Sequence, residues 1–177
     1  MLKKVLISLA VFIVTFGVLV SSRPDTFTVS RSGVILAPPG KIYPYLSNFK
    51  LGEQWSPFDS PDMKLKKTFS GNDGEVGSSM KFEGDMSTGS GELTFLKLVP
   101  NELVYINLHM TSPMDAQNLV EYSLLPESGG TKFTWTMSGK NNFIAKMFSL
   151  FMDCEKMIGP EFEKGIANLK RVAEAQK

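Results

Sequence analysis

Apolar residues recur along this chain in three different rhythms, and the rhythms divide it. Between residues 5 and 20 every position is apolar or small except Ser8 and Thr15, and no charge falls between Lys4 and Arg23. As a helix rising 1.5 Å per residue, that uncharged run spans roughly 27 Å, close to the hydrocarbon thickness of a bilayer. From 27 to 139 the period is mostly two. From 142 onward it turns helical, most clearly over 160–175, where Phe162, Ile166, Leu169 and Ala173 recur at four-, three- and four-residue steps beside Val172. That spacing stacks one apolar stripe on a helix. Pro160 suits the first position of that helix, with Gly159 as cap or hinge. Glu161 and Glu163 come early and Lys170 and Arg171 late, as the helix dipole favours.

The middle part resolves into strands. Phe27, Val29 and Arg31 alternate with Thr and Ser, and 34–36 completes an opening strand. Ala37-Pro-Pro-Gly stops it. A short helix follows to about Asn48, with Ile42, Tyr45, Leu46 and Phe49 at helical spacing, then a second short turn over 51–55 and a loop over 56–61. A second strand puts Met63, Leu65, Lys67 and Phe69 on one face, and a third puts Met80, Phe82 and Gly84 there. In the fourth (92–99), Leu93, Phe95 and Lys97 oppose Thr94, Leu96 and Leu98. In the fifth (103–110), Leu103, Tyr105, Asn107 and His109 oppose Val104, Ile106, Leu108 and Met110. The sixth (116–125) carries Val120, Tyr122 and Leu124. Glu127-Ser-Gly-Gly then signals a hairpin into 131–139, with Phe133, Trp135 and Met137 on one face. Residues 142–152 turn helical, with Phe143, Met147, Leu150 and Phe151 on one side, and lead into the last helix. Six strands joined by short turns form an antiparallel meander, and its apolar face needs a cover. The long C-terminal helix is the element that can supply it, so the class is α+β.

Composition narrows the function. The chain has 177 residues, 21 % charged and 42 % hydrophobic, which suits one globular domain (24–177) behind the N-terminal segment (1–23). Setting aside Lys3, Lys4 and Arg23 leaves 16 of the 19 basic residues against 18 acidic ones. A domain so balanced carries no footprint for nucleic acid. One cysteine, Cys154, precludes an internal disulfide and reads as a small apolar group, not a nucleophile. A single histidine, His109, leaves no metal-site pattern, and no cofactor is expected.

The N-terminal segment has two readings. Its uncharged run is at or beyond the ~7–15 residues of a signal-peptide core, with no polar stretch before a cut, which favours an uncleaved single-pass anchor. Cleavage near Val20 and Ser22, giving a secreted or periplasmic protein, is the alternative. Lys3, Lys4 and the free amine place the N-terminus in the cytoplasm and the domain outside, weakly opposed by Arg23 and Arg31.

The element order and particular residues resemble the SRPBCC or START-like superfamily, which groups START lipid-transfer domains, birch-pollen-allergen-like proteins and the polyketide cyclase/dehydrase group. The matching stretches are Val34-Ile-Leu-Ala-Pro-Pro-Gly-Lys-Ile-Tyr, Gln54-Trp-Ser-Pro-Phe-Asp, Gly77-Ser-Ser-Met-Lys-Phe-Glu-Gly, Gly89-Ser-Gly-Glu-Leu, Gly130-Thr-Lys-Phe-Thr-Trp-Thr-Met-Ser-Gly and Phe162-Glu-Lys-Gly-Ile-Ala-Asn-Leu-Lys. Together they cover about residues 26–175. The resemblance implies a helix-grip fold: a curved sheet of about seven strands wrapped on the long helix, with a hydrophobic cavity between them. It implies no shared catalytic motif.

Three functions remain open. The first is binding of a hydrophobic small molecule or lipid in that cavity. The lining would be Trp55, Phe69, Met80, Phe82, Phe95, Tyr105, Tyr122, Phe133, Trp135, Met137, Phe148 and Phe162, with the two tyrosine hydroxyls as polar handles. The same residues would equally fill a solid core. The second is a cyclase, dehydratase or hydrolase, for which Glu83, Asp85, Glu121 and His109 are the candidate acids and bases. Glu83 and Glu121 alternate away from the apolar face, which argues against them, and no paired carboxylates or nucleophile–base spacing supports catalysis. The third is a module that meets a protein partner at the membrane, with residues 55–62 as a contact, a gate or a plug.

Overall fold

The computed structural model describes residues 1–59, 65–85, 88–150 and 154–175. Helix α1 (Leu2–Ser21) leads to strand β1 (Thr26–Ile35), short helices α2 (Pro39–Leu46) and α3 (Phe49–Gly52), and a 3-10 turn (Pro57–Asp59). Strands β2 (Lys66–Ser70), β3 (Ser79–Glu83), β4 (Ser90–Val99), β5 (Leu103–Ser112), β6 (Ala116–Glu127) and β7 (Gly130–Lys140) follow, then helices α4 (Phe143–Phe148) and α5 (Cys154–Glu174). The seven strands form one antiparallel sheet ordered β1-β7-β6-β5-β4-β3-β2. The meander places β2 to β7 side by side in sequence order, and the chain's first strand closes onto its last. This is the helix-grip arrangement. The expected start of the second strand at Met63, and Phe151 of the expected 142–152 helix, lie outside the described residues.

One face of the sheet is apolar because period-two positions add up across the register. Val29, Met137, Val120, Ile106 and Phe95 stand side by side on neighbouring strands, and all five are buried. α5 lies on this face with Phe162, Ile166, Leu169 and Ala173 buried, as the stripe predicts. Close approach is made possible at Gly33 on β1, where any Cβ would sit 2.7 Å from Ile166 Cγ2. Arg31, also on the inner face of β1, ties the helix down. Its Nε donates to Glu163 Oε1 at 2.8 Å and its Nη1 to Glu155 Oε1 at 3.1 Å. Those two hydrogen bonds, Glu163 first, hold the guanidinium above its ordinary pKa.

Three expectations need correction. α5 begins at Cys154, so Pro160 lies inside the helix and not at its first position. Gly159 has no Cβ to meet the proline ring, which removes part of the usual clash. In β4, a register shift between Phe95 and Lys97 returns Leu98, paired with Val104, to the inner face and turns Lys97, paired with Tyr105, outward. In β5 the inner set is Val104, Ile106, Leu108 and Met110, which leaves Tyr105 and His109 on the outer face. Both faces of β5 carry large residues, and an aromatic ring is not by itself a mark of the inside.

α1 is 20 residues long with a mean hydropathy of 2.3, long and apolar enough to cross a membrane. Its C-terminal end is attached to the domain and not loosely strung from it. Val20 is fully buried, and Arg23 Nη2 donates to the Ser149 carbonyl at 2.9 Å. Asn141 fastens the linker twice, its amide donating to Asp25 O at 2.8 Å and its Nδ2 to Pro24 O at 3.1 Å.

Candidate functional site

The space between the sheet and the middle of α5 is filled ring against ring. Trp135 on β7 stacks on Phe162 with centroids 4.0 Å apart. Trp55 meets Trp135 edge-on at 5.2 Å, Tyr122 at 5.7 Å and Phe133 at 6.1 Å. Trp55 arrives from the segment before the 3-10 turn, where its Nε1 donates to the Tyr45 carbonyl at 2.8 Å and its own carbonyl accepts from Asn168 Nδ2 at 3.2 Å. The 55–58 segment is therefore a plug: Trp55 and Pro57 are buried, and Phe58 lies edge-on to Trp135 at 6.3 Å. Gly165 permits the stack, since a Cβ there would stand 2.6 Å from Trp135 Cζ3. Offset and edge-to-face pairs of this kind add about 0.5–1.5 kcal/mol each beyond the area they bury.

Beside this block stands a polar wall. Lys67 of β2 pairs with Asp59 of the 3-10 turn and, at 2.9 Å, with Glu53. Burial opposes the Lys67 charge, but the hydrogen bonds it donates to Asp59 and then Glu53 outweigh it and raise its pKa. Burial, and secondarily the negative field of Asp59, push the Tyr122 phenol well above its ordinary value. Trp135 Nε1 is buried with no hydrogen-bond partner among the described residues. A donor left so costs about 1–3 kcal/mol, so it is an unmet demand within the fold.

The sheet's inner face continues beyond the block to a corner that, among the described residues, is not sealed. There the start of β1, the end of α4 and the start of α5 surround a cleft of about 450 Å³. Phe27 and Val29 form its floor, Leu150 and Cys154 one wall, and Arg23, Asn141, Ser149 and Glu155 its polar rim. Arg23 Nε is buried there without a partner among the described residues. A second hollow of about 580 Å³ lies near the same end of the sheet, lined mostly by polar side chains such as Asn107, Gln117, Asn118 and Ser138.

The residues expected to line a cavity fall into three groups. Trp55, Met80, Phe95, Phe133, Trp135, Met137 and Phe162 are buried, and Tyr122 joins them in the ring cluster. Phe69 and Phe82 sit on the inner face toward the β2 edge and remain partly exposed. Two are misplaced. Tyr105 faces outward opposite Glu121, and Phe148 is on α4 with 46 % of its surface exposed. The candidate acids and bases are not gathered. His109 Nε2 lies 3.4 Å from Asp115 on the outer face, and Glu121 is on that face too. Glu83 stands exposed between Lys66 at 3.7 Å and Lys81 at 3.8 Å. Asp85 turns the β3–β4 connection by accepting from the Thr88 amide at 2.9 Å. The cleft residues Phe27, Val29 and Arg23 were not singled out from sequence, although the first two mark the apolar face of the opening strand.

The family described as Activator of Hsp90 ATPase homolog 1-like protein matches residues 36–150, nearly two thirds of the chain. No curated protein matches it. Among solved structures, a protein from Chromobacterium violaceum superposes with a TM-score of 0.61 at 18 % identity, over 87 % of this chain and 100 % of the other. A protein from Mesorhizobium loti gives 0.64 at 18 %, over 85 % and 99 %. The Aha1 dimer from Colwellia psychrerythraea gives 0.58 at 20 %, over 85 % and 98 %. At these identities the likeness is one of fold.

Proposed function

The chain belongs to the Activator of Hsp90 ATPase homolog 1-like family, and from that premise we propose that it is a membrane-tethered binding domain for a lipid or other apolar small molecule. The carrying observation is the corner cleft. It pairs an apolar floor, Phe27 and Val29, with a guanidinium donor of Arg23 that has no acceptor among the described residues. Such a site matches a ligand with a hydrocarbon body and one oxygen-rich end, since ligand pockets are mostly apolar with a few placed polar groups. α1 supplies the tether, and the basic 1–4 segment supports a cytoplasmic N-terminus with the domain on the other side. Catalysis finds no support in the placement of Glu83, Asp85, Glu121 and His109.

The test is native mass spectrometry of the full chain released from mild detergent, compared with Phe27→Glu. Phe27 is partly exposed and lies over Gly139, so the change burdens the cleft floor more than the core. The expected result is one acyl-chain-bearing molecule retained by the native chain and lost from the variant. A native chain that retains none and takes up neither added fatty acid nor phospholipid overturns the reading. So does equal retention by Phe27→Glu, which would place the lipid on α1.

A further inference from the structure

We propose that α4 lies in the surface of the bilayer, so that the domain is docked flat on the membrane beside its own anchor. The inference rests on the tethering proposed above, but not on any ligand. α4 is short and capped, with the Asn142 side chain accepting from the Ala145 amide at 2.8 Å. It exposes Phe143 by 58 % and Ile144 by 50 % as well as Phe148, and Met157 on α5 is exposed by 54 %. In water four large apolar side chains so close in the chain are unfavourable. A second observation says what covers them. α4 packs against α1, and along α1 only Phe16 and Gly17, half-buried, and Val20, buried, are not exposed.

Depth follows from that contact. Phe16 precedes Arg23 by seven residues, so it sits roughly 10 Å below the level of Arg23 along the helix. If the apolar run of α1 occupies hydrocarbon, Arg23 marks the headgroup level, where a long cation is at home. An element resting on residues 16 to 20 then falls roughly 5–10 Å beneath it, the depth at which interfacial helices lie. The ties from Arg23 to Ser149, from Asn141 to Pro24 and Asp25, and from Lys146 to Asp25 leave α4 little freedom to swing away from the anchor.

Spin labelling of the full chain in phosphatidylcholine vesicles tests this. With Cys154→Ser as background, nitroxides are placed singly at Ile144, at Phe148, at Phe12 within α1 and at Thr68 on the outer face of β2. All four positions are exposed, so the labels do not burden the fold. The expected result is an oxygen-over-nickel accessibility ratio several-fold higher at 144 and 148 than at 68, approaching that at 12. A label at 12 in lipid with 144 and 148 in water overturns the docking and leaves the tether standing. A label at 12 in water overturns both. Shielding at 144 with spin–spin broadening between chains assigns the face to a second copy and also overturns the proposal.

Discussion

The two ends of the sheet's inner face behave differently although one strand set builds both. Under the middle of α5, Trp135 stacks on Phe162 and meets Trp55 and Tyr122 edge-on, and Gly165 clears room for it. At the α1–α4 corner the same face ends in Phe27 and Val29 beside a cleft, with phenylalanines turned outward. The first region has spent its aromatic residues on its own cohesion. The second holds back apolar surface that something outside the domain can meet. Aromatic content therefore did not distinguish packed rings from exposed ones here. What distinguished them was whether each ring had a neighbour.

That contrast can be broken by mutation. The largest expected effect is Trp135→Ala, which removes the centre of the stack and should cost about 3–5 kcal/mol of folding free energy, read by denaturant unfolding. A loss under about 1 kcal/mol would mean that the block is not the rigid part.

A pH titration sharpens the same point. Tyr122 keeps its proton above the ordinary value of 10.0, and the raised Lys67 starts from 10.5. For a group whose folded pKa is raised, stability is whole below the unfolded value and is lost as pH climbs through the folded one. The unfolding midpoint should therefore be insensitive to these groups below about pH 10 and fall above it. Tyr122→Phe should flatten part of that fall. An unchanged alkaline slope in the variant would remove Tyr122 from the account.

The smallest effect belongs to the corner. Phe148→Ser should change the domain's folding free energy by less than about 0.5 kcal/mol, because the ring is largely exposed. Destabilisation as large as that of Trp135→Ala would show that the ring is packed after all.

Much of this architecture was legible in the pattern of residues. Period-two runs and Gly-rich turns mark the strands from 66 to 140, and the Phe162–Ile166–Leu169–Ala173 stripe marks the covering face of α5. The failures came where the pattern is degenerate. On β5 both alternating sets are bulky, so Tyr105 and Val104 compete for the inside, and the β4 irregularity at Lys97 shifts the count by one. Phe148 was expected inside for its bulk alone, since the helical stripe over 142–152 runs through Phe143, Met147, Leu150 and Phe151 and passes it by. Pro160 looked like a beginning because prolines favour first turns, and the glycine before it admitted one deeper in the helix. The cleft was hidden for another reason. It lies where β1, α4 and α5 converge, and no local stretch carries a sign of that meeting.

The bonds that clasp the segment after α1 set how far this protein can act. With Arg23, Pro24 and Asp25 all held by the 141–149 region, the domain cannot roam like a buoy on a rope. On the proposed membrane tether, its catchment would be a thin shell at the lipid boundary, and turning α1 about its axis would swing the cleft through the same angle. Lengthening the 22–25 segment with glycines would trade that fixed bearing for range.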